Sequence, residues 1–328
     1  MADLNGDGKP DMLVPGYNDG SLTVLVNTGS GTFMPLATYG LGGNPTHAAV
    51  GDLNGDGKPD IAVAQASGAG VAVMFNAGDG ELDFQHNYPA GIAPVVVAMS
   101  DVNGDGALDL VVSDAEGAAL KVLLNNGDGT FAPLVSYPIG LFPFGESAKD
   151  LNGDGKPDVV VANRDSGDVR VLLNNGDGTF APAVSYPTGM GAYAVVVEDL
   201  NGDGKLDLAV ANHGADTVSV LLGNGNGTFA SPDTYVTGFK TISVAAGDLN
   251  MDGKLDLVVM NYGVNSWKVL FGNGDGTFTP GTEAWIGDRP LWVEVADLND
   301  DGRPDLVVTL YNAGKDIAAV LLNDGCPP

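Results

Sequence analysis

One motif of alternating acidic and amide residues recurs along the chain at a fixed interval. The pattern Asp-x-Asn-x-Asp-Gly-x-x-Asp begins seven times, each start 49 residues after the previous one, at Asp3, Asp52, Asp101, Asp150, Asp199, Asp248 and Asp297. A period of this length is typical of an array in which each repeat packs only on its neighbours. We therefore expect residues 1–328 to form a single domain of seven repeats, with the first and last incomplete.

Each repeat predicts four short antiparallel strands. In the second copy, residues 46–52 lead into the acidic loop, and 60–65, 70–76 and 82–88 follow with apolar runs or alternation and Gly-rich turns. No segment has a helical period. Four strands in each 49-residue repeat predict an all-β fold, a seven-bladed β-propeller of four-stranded antiparallel blades. The incomplete ends give an expected 26 strands, and a six-bladed ring with a composite closing blade is the alternative.

The charge balance excludes several classes of partner. The chain has 42 Asp and Glu against 14 Lys and Arg, a formal net charge of −28, which opposes binding to nucleic acid and to anionic membranes. Its 44% apolar content argues against a disordered acidic tail, and its one cysteine argues against a disulfide framework. The longest nearly apolar run is too short to span a bilayer, so no membrane insertion is expected.

The acidic loops have the donor pattern of a calcium site. Oxygen-bearing side chains stand at positions one, three, five and nine, position seven offers its carbonyl, and glycine at position six permits a sharp turn. Calcium takes six to eight such oxygens, and without an ion the carboxylates of each loop would repel one another. A helix-flanked calcium loop is excluded because position twelve is apolar, as at Val63, and the flanks are strand-like.

We therefore predict up to seven structural Ca²⁺ ions, with Met251 straining the sixth loop. The predicted metal ligands are Asp3, Asn5, Asp7, Lys9, Asp11, Asp52, Asn54, Asp56, Lys58, Asp60, Asp101, Asn103, Asp105, Ala107, Asp109, Asp150, Asn152, Asp154, Lys156, Asp158, Asp199, Asn201, Asp203, Lys205, Asp207, Asp248, Asn250, Asp252, Lys254, Asp256, Asp297, Asn299, Asp301, Arg303 and Asp305. The Lys, Arg and Ala residues among them would contribute only a backbone carbonyl.

Together the acidic loops, the Gly-Thr-Phe-x-Pro run (129–133) and the Tyr-Pro-x-Gly link (137–140) resemble the FG-GAP/VCBS repeat family. The resemblance covers nearly the whole chain. It implies a calcium-binding propeller like that of integrin α-subunit heads, an extracellular or cell-surface location and a role in recognition. Relatives of this kind include lectins and propellers of polysaccharide lyases, so the resemblance does not fix a ligand.

Two repeat positions vary while the acidic loops stay uniform, and both are expected on the face opposite the loops. They are the turn between strands two and three and the link between blades. Diversified loops on a rigid scaffold are where recognition usually occurs. The candidate ligand-binding residues are Tyr17, Arg164, His213, Tyr262, Trp285, Arg289 and Tyr311. Trp267 and Trp292 lie within predicted strands, and we expect them to pack between blades.

The sequence therefore predicts a calcium-stabilised, extracellular, monomeric and non-catalytic recognition module. Carbohydrate is the first candidate ligand and a protein partner the second. The three histidines stand at unrelated repeat positions, and the chain has no Gly-x-Ser-x-Gly, Walker or His-Glu-x-x-His motif. A polysaccharide lyase or its accessory propeller domain is one alternative. The other is a repeat-derived or engineered scaffold without a selected ligand.

Overall fold

The computed structural model describes residues 1–312 and 315–325 of the chain. In this part the regular structure consists of 26 antiparallel strands, arranged as seven separate sheets. None of the described residues belongs to a helix with the length and apolar character needed to cross a membrane. The prediction of an all-β, seven-bladed propeller is confirmed, and the six-bladed alternative is wrong because each repeat forms its own sheet.

The sheets are numbered here as blades 1 to 7 in chain order. Their strands are, in blade 1, β1 (Met12–Gly16), β2 (Ser21–Asn27) and β3 (Phe33–Gly40); in blade 2, β4 (Pro45–Gly51), β5 (Asp60–Gln65), β6 (Gly70–Asn76) and β7 (Leu82–Pro89); in blade 3, β8 (Pro94–Ser100), β9 (Asp109–Asp114), β10 (Ala119–Leu123) and β11 (Val135–Pro138); in blade 4, β12 (Pro143–Lys149), β13 (Asp158–Asn163), β14 (Asp168–Leu172) and β15 (Val184–Pro187); in blade 5, β16 (Ala192–Glu198), β17 (Asp207–Asn212), β18 (Thr217–Leu221) and β19 (Asp233–Val236); in blade 6, β20 (Thr241–Gly247), β21 (Asp256–Asn261), β22 (Ser266–Gly272) and β23 (Phe278–Trp285); and in blade 7, β24 (Pro290–Ala296), β25 (Asp305–Asn312) and β26 (Lys315–Leu321).

The hydrophobic core lies between neighbouring blades. In blades 2 to 6 every residue of the second strand is buried, because adjacent sheets cover both of its faces. Runs of Val and Ala in these strands suit the space between two sheets, where both faces are apolar. A representative cluster joins Val160 and Val171 of blade 4 to Leu208 and Val210 of blade 5.

A regular aromatic pair stabilises four of the blade interfaces. A tyrosine at the end of one blade's fourth strand meets a phenylalanine of the next blade edge to face, which is a favoured aromatic geometry. The pairs, with ring-centroid distances, are Tyr88–Phe131 at 4.9 Å, Tyr137–Phe180 at 5.5 Å, Tyr186–Phe229 at 5.5 Å and Tyr235–Phe278 at 5.6 Å. These repeated aromatics therefore pack between blades.

The ring closes by packing between two three-stranded blades. Met12 and Val14 of blade 1 pack against Leu298 and Val307 of blade 7. The side-chain amide of Asn27 also donates to the Leu298 carbonyl oxygen at 3.0 Å, across 271 residues of sequence. Blade 1 has no complete inner strand, since only Ala2 pairs with Asp11 at the position where β4 pairs with β5 in blade 2.

Candidate functional site

The two ends of the propeller differ in composition. At one end, called here the link face, the backbone N–H of the variable turn residue in blades 2 to 7 donates to the carbonyl of the interblade link. Examples are Arg164 to Phe142 at 2.9 Å and Tyr262 to Lys240 at 3.0 Å. The acidic loops and the hairpins between third and fourth strands meet at the other end, the loop face, where Gly178 N–H donates to the Val102 carbonyl. The predicted arrangement of turns and links is confirmed.

Each acidic loop is folded by its own side-chain oxygens. In the second loop, Asp52 Oδ1 accepts from the N–H of Gly55 at 2.7 Å, and its Oδ2 accepts from Gly57 at 2.8 Å. Asn54 Oδ1 accepts from the N–H of Asp56 at 2.9 Å. The hydrogen bond from the position-five N–H to the Oδ1 of the position-three asparagine recurs in all seven loops. The loops therefore gather oxygens from positions one, three and five.

Two loops replace the glycine at position four with a bulkier residue. Met251 and Asp300 adopt φ values of 62° and 58°, close to the 76° of Gly55 at the same position. A non-glycine residue in this left-handed region is strained by about 1 kcal/mol. Met251 is also 56% exposed, so its side chain contributes little packing in return. The strain predicted for the sixth loop is therefore present, and the seventh loop shares it.

The aspartate at position nine has a role that the donor pattern did not reveal. Asp60 is fully buried, and its two oxygens accept from the backbone N–H groups of Leu53 and Asn76, each at 3.0 Å. Burial raises the pKa of Asp60, and it raises the pKa of the equivalent Asp109 to about 6. This carboxylate therefore links the acidic loop to the end of the third strand through one hydrogen bond to each.

The donor set fits calcium at four of the five predicted positions. Within residues 1–312 and 315–325, no three acidic, histidine or cysteine side chains are close enough together to hold a metal ion, because position nine is turned toward the backbone. Two carboxylates, an amide oxygen and the position-seven carbonyl remain in each loop. A cation already lies beside them, since the position-seven lysine contacts the position-five carboxylate in five loops, from 2.9 Å (Lys205–Asp203) to 3.9 Å (Lys58–Asp56).

A cavity of about 550 Å³ opens at the link face, at the centre of the ring. Its wall contains the second residue of each inner strand, six side chains 49 residues apart: Thr46, Val95, Phe144, Tyr193, Ile242 and Leu291. It extends to Met12, Leu13 and Pro15 of β1, where the inner strand is missing. A volume of this size is typical of pockets that hold small molecules.

The structure gathers most of the predicted ligand-binding residues around this cavity. Tyr17, Tyr262 and Tyr311 line it. The guanidinium of Arg164 lies 5.2 Å from the ring of Phe144, a wall residue, and that of Arg289 lies 5.5 Å from the ring of Tyr311. These contacts have the geometry of cation–π interactions.

The other two predicted residues lie farther out. The His213 ring lies 5.8 Å from Tyr193 at the cavity edge, and burial, followed by the charges of Lys240 and Arg164, lowers the His213 pKa. Trp285 does not line the cavity. It ends the outer strand β23 and is 71% exposed. Six of the seven residues therefore surround one opening, and Trp285 stands apart.

Sequence reasoning did not assign Trp292 and Glu294 to a cavity wall. Trp292 packs partly against neighbouring blades, as expected, but it also lines the cavity and meets His47 edge to face at 6.0 Å. Glu294 lines the cavity as well. A signal for Trp292 is present in the repeat alignment, because the third position of the inner strand varies between copies from Gly145 to Trp292. A position inside a strand predicts packing between blades, which is only part of the role of Trp292.

These features define a class of protein: a seven-bladed propeller with uniform acidic loops on one face and a lined cavity on the other. The profile of the FG-GAP-like repeat matches residues 3–63, 52–112, 101–148, 150–210, 199–259 and 248–308. The chain therefore belongs to the FG-GAP-like repeat family. A search of curated proteins found no match.

Several solved structures share the fold. An Agrocybe aegerita lectin that recognises non-reducing terminal N-acetylglucosamine is 22% identical, with a TM-score of 0.59, over 97% of this chain and 91% of the lectin. A Bacteroides uniformis protein, provisionally assigned as a 6-phosphogluconolactonase, is 16% identical with a TM-score of 0.73, over 97% of this chain and 98% of its own. A Lactobacillus plantarum protein is 16% identical with a TM-score of 0.66, over 96% of both chains. At these identities the likeness concerns the fold alone.

Proposed function

We propose that this protein is a calcium-stabilised, extracellular, non-catalytic recognition module that binds its ligand at the cavity of the link face. One observation carries the proposal: the repeat positions that differ between copies converge on a single opening, while the opposite face repeats one loop seven times. One face of the scaffold is uniform, and the residues of the other face vary around a central opening. This arrangement is better suited to binding a ligand than to a purely structural role.

Carbohydrate is the ligand class that the lining supports best. Tyr17, Tyr262 and Tyr311 offer apolar ring surface beside hydroxyl groups, and Asn18 and Thr46 add further polar groups. Sugars present the same combination of apolar faces and hydroxyls, and pockets for small ligands usually pair apolar walls with a few polar groups. The shared fold with a lectin agrees with this assignment. A protein partner is the next candidate.

Calcium belongs to this proposal as a structural component of the loop face. Asp52, Asn54 and Asp56 with the Lys58 carbonyl, and their equivalents in the other loops, would hold the ion. The ion would neutralise loop carboxylates that otherwise repel one another. Loops with two or three carboxylates and no bidentate glutamate fit affinities from roughly micromolar to millimolar, which suits extracellular calcium.

A glycan and polysaccharide array, probed with and without calcium, tests the proposal. We expect binding in calcium that Tyr262→Ala reduces at least about tenfold, because this ring lines the cavity. Trp285→Ala is the matched control, an exposed aromatic outside the cavity that should leave binding unchanged. Loss of binding in Trp285→Ala alone would move the site to the outer strand of blade 6. An array without any hit would favour the protein partner.

A polysaccharide lyase is the second candidate, because one cluster has suitable chemistry. His213 lies against Tyr193 at the cavity edge, and the charge of Arg164 acts on both. Beside a bound uronic acid, His213 would take the C5 proton and Arg164 would stabilise the charge on the carboxylate, while the Tyr193 hydroxyl would protonate the departing C4 oxygen as the C4–O bond breaks and the C4–C5 double bond forms. Incubation with polyuronates should then release unsaturated sugars that absorb in the ultraviolet, and His213→Ala should abolish the release. No absorbance change with any polyuronate would remove this candidate.

A further inference from the structure

Ten asparagines in this chain are each followed directly by a glycine. Five belong to acidic loops and five to the hairpins between third and fourth strands: Asn5, Asn54, Asn103, Asn152 and Asn201 in the loops, and Asn126, Asn175, Asn224, Asn226 and Asn273 in the hairpins. Asparagine is thermally labile in this setting, because the backbone nitrogen of the next residue can attack the side-chain amide carbon. Glycine favours the attack, since it has no Cβ to obstruct the approach. These ten pairs are the candidate sites of spontaneous deamidation.

In the acidic loops, every glycine N–H of an Asn-Gly pair is hydrogen-bonded. The Gly55 N–H donates to Asp52 Oδ1 at 2.7 Å, and the other four loops make the same bond at 2.7–2.8 Å. The attacking nitrogen must lose its proton and turn toward the side-chain carbon, so this bond has to break first. Bonds to a charged acceptor are the stronger ones. The loop asparagines should therefore react slowest.

An asparagine at the end of the third strand protects the hairpins of blades 3 and 4. In blade 3 the Gly127 N–H donates to Asn125 Oδ1 at 2.9 Å. In blade 4 the Gly176 N–H donates to Asn174 Oδ1 at 2.7 Å. The reactive asparagine of each hairpin lies between these two residues, and its neighbouring nitrogen is held by a bond to a neutral acceptor.

The hairpins of blades 5 and 6 lack this acceptor. Gly223 and Gly272 stand where blades 3 and 4 have asparagine. Within the described residues, the N–H groups of Gly225 and Gly274 donate to no protein acceptor, and both glycines are partly exposed. The second Asn-Gly pair of blade 5 differs, because the Gly227 N–H donates to a carbonyl of the fourth acidic loop at 3.1 Å. Two of the ten glycine nitrogens are therefore free to react.

In other respects the four equivalent hairpin asparagines are matched. Each donates from Nδ2 to the hydroxyl of the threonine four residues later, at 2.9 Å: Asn126, Asn175, Asn224 and Asn273. The position-seven lysine also lies beside the hairpin glycine in blades 4, 5 and 6 alike. Side-chain orientation and nearby charge are therefore similar in these three blades, and the acceptor for the glycine N–H is what differs.

We infer that Asn224 and Asn273 are the sites at which this protein deamidates spontaneously, ahead of its other eight Asn-Gly pairs. The glycine nitrogen forms a bond to the asparagine Cγ, the Cγ–Nδ2 bond breaks, and ammonia leaves with the proton of the glycine nitrogen. Water then opens the cyclic imide at either carbonyl carbon. The product is aspartate or isoaspartate, whose new carboxyl group ionises. The inference goes beyond the proposed function, since the reaction needs neither a ligand nor calcium.

Deamidation of Asn273 changes the loop face. Asn273 and Gly274 line a cavity of about 270 Å³ together with Asp199 and Asn201 of the fifth acidic loop. Conversion adds a negative charge beside that loop, and isoaspartate also adds one carbon to the backbone of the hairpin. The surroundings of the fifth acidic loop are thereby altered without an enzyme.

Peptide mass mapping of aged protein compares the four hairpin asparagines in one sample. The protein is kept with calcium in mildly alkaline buffer at physiological temperature, and isoaspartate methyltransferase labels the isoaspartate product. We expect Asn224 and Asn273 to convert at least about threefold faster than Asn126 and Asn175, since one neutral hydrogen bond contributes a factor of this order. In urea the four rates should become similar, because the fold no longer holds the glycine nitrogens. Equal rates in the folded protein would overturn the assignment.

Asn174→Gly tests the cause, because it gives blade 4 the Gly-Asn-Gly-Asp-Gly-Thr-Phe hairpin of blade 6. We expect Asn175 to accelerate to the rate of Asn273, while Asn126 stays slow as an internal reference. Asn174→Asp is the matched control. It keeps an acceptor oxygen for the Gly176 N–H but loses the amide donor to the neighbouring blade, so Asn175 should stay slow.

Thermal unfolding reports whether each variant is folded, and the comparison within the unmodified protein does not depend on either of them. An unchanged rate at Asn175 in Asn174→Gly, or an equal acceleration in Asn174→Asp, would show that the missing acceptor is not the cause.

Discussion

At the scale of single residues, the aspartate that ends each acidic loop has the largest structural role. Asp60 is representative: it is buried, and each of its oxygens accepts a backbone N–H from a different part of blade 2. An unpaired buried N–H costs about 1–3 kcal/mol. The same carboxylate therefore stabilises the loop with or without a metal ion.

Asp60→Ala should lower the free energy of unfolding by roughly 2–4 kcal/mol, because two buried N–H groups lose their acceptor. Urea unfolding in EDTA measures this effect apart from any calcium contribution. Asp79→Ala is the control, since this exposed hairpin aspartate accepts one bond from Glu81 N–H at 3.1 Å. The control should change stability by less than about 0.5 kcal/mol. Equal effects of the two substitutions would show that the hydrogen bonds of the position-nine aspartate do not stabilise the fold.

Glu146 on β12 gives the protein a pH dependence at neutral pH. One oxygen accepts from the Ser113 hydroxyl, and the other is buried without a partner in the described structure. Burial raises the Glu146 pKa from 4.5 to about 8, only partly opposed by the bond from Ser113 and by the Ala98 backbone. The folded protein therefore holds a proton that the unfolded chain releases above pH 4.5, so stability decreases as pH rises from 4.5 to about 8.

We expect Glu146→Gln to reduce this loss of stability, since the amide cannot ionise. The full effect of the shift is up to roughly 4 kcal/mol between the two pH limits. The measurement is the free energy of unfolding of the unmodified protein and of the variant, each at pH 5 and pH 8 in saturating calcium. The variant should be the more stable of the two at pH 8. Parallel pH profiles would mean that Glu146 ionises normally in the folded protein.

At the scale of structural elements, an asparagine at or just after the end of the third strand joins five of the seven blades to a neighbouring blade. Asn76, Asn125 and Asn174 each donate from Nδ2 to a loop carbonyl of the preceding blade, at 2.8–3.0 Å. Blades 5 and 6 have Gly223 and Gly272 at this position and lack the side chain. The sequence showed strands, turns and aromatic packing, because these follow local patterns. It did not show the asparagine bonds, because their acceptors lie 72 residues away.

Asn27→Ala should weaken the closure of the ring by roughly 1–2 kcal/mol, since Asn27 makes the equivalent bond from blade 1 to blade 7. Hydrogen exchange should then become faster in β1 and β26, the strands nearest the junction. Asn126→Ala in blade 3 is the control. Asn126 is exposed, and its side-chain amide donates only within its own hairpin, to Thr130. Unchanged exchange in β1 and β26 would mean that apolar packing alone holds the junction.

At the scale of the whole molecule, the two faces follow from one repeat used seven times. The 49-residue interval was enough to predict seven blades, 26 strands and the face that carries the acidic loops. The cavity was not predictable in the same way. Its wall combines one residue from each of six repeats with the open edge of β1, and residues such as His47 and Trp292 meet only once the ring has closed.

Calcium titration with thermal unfolding tests the central claim, that the acidic loops hold ions which stabilise this ring. Without calcium, only the partly exposed position-seven lysines of five loops offset the loop carboxylates, and such pairs contribute little, so the metal-free protein should melt at a clearly lower temperature. Titration of calcium should show binding of several ions per chain and restore the melting temperature, while Asp56→Ala should reduce the number bound by one. Identical melting curves in excess EDTA and in calcium, with no heat of binding, would contradict the account.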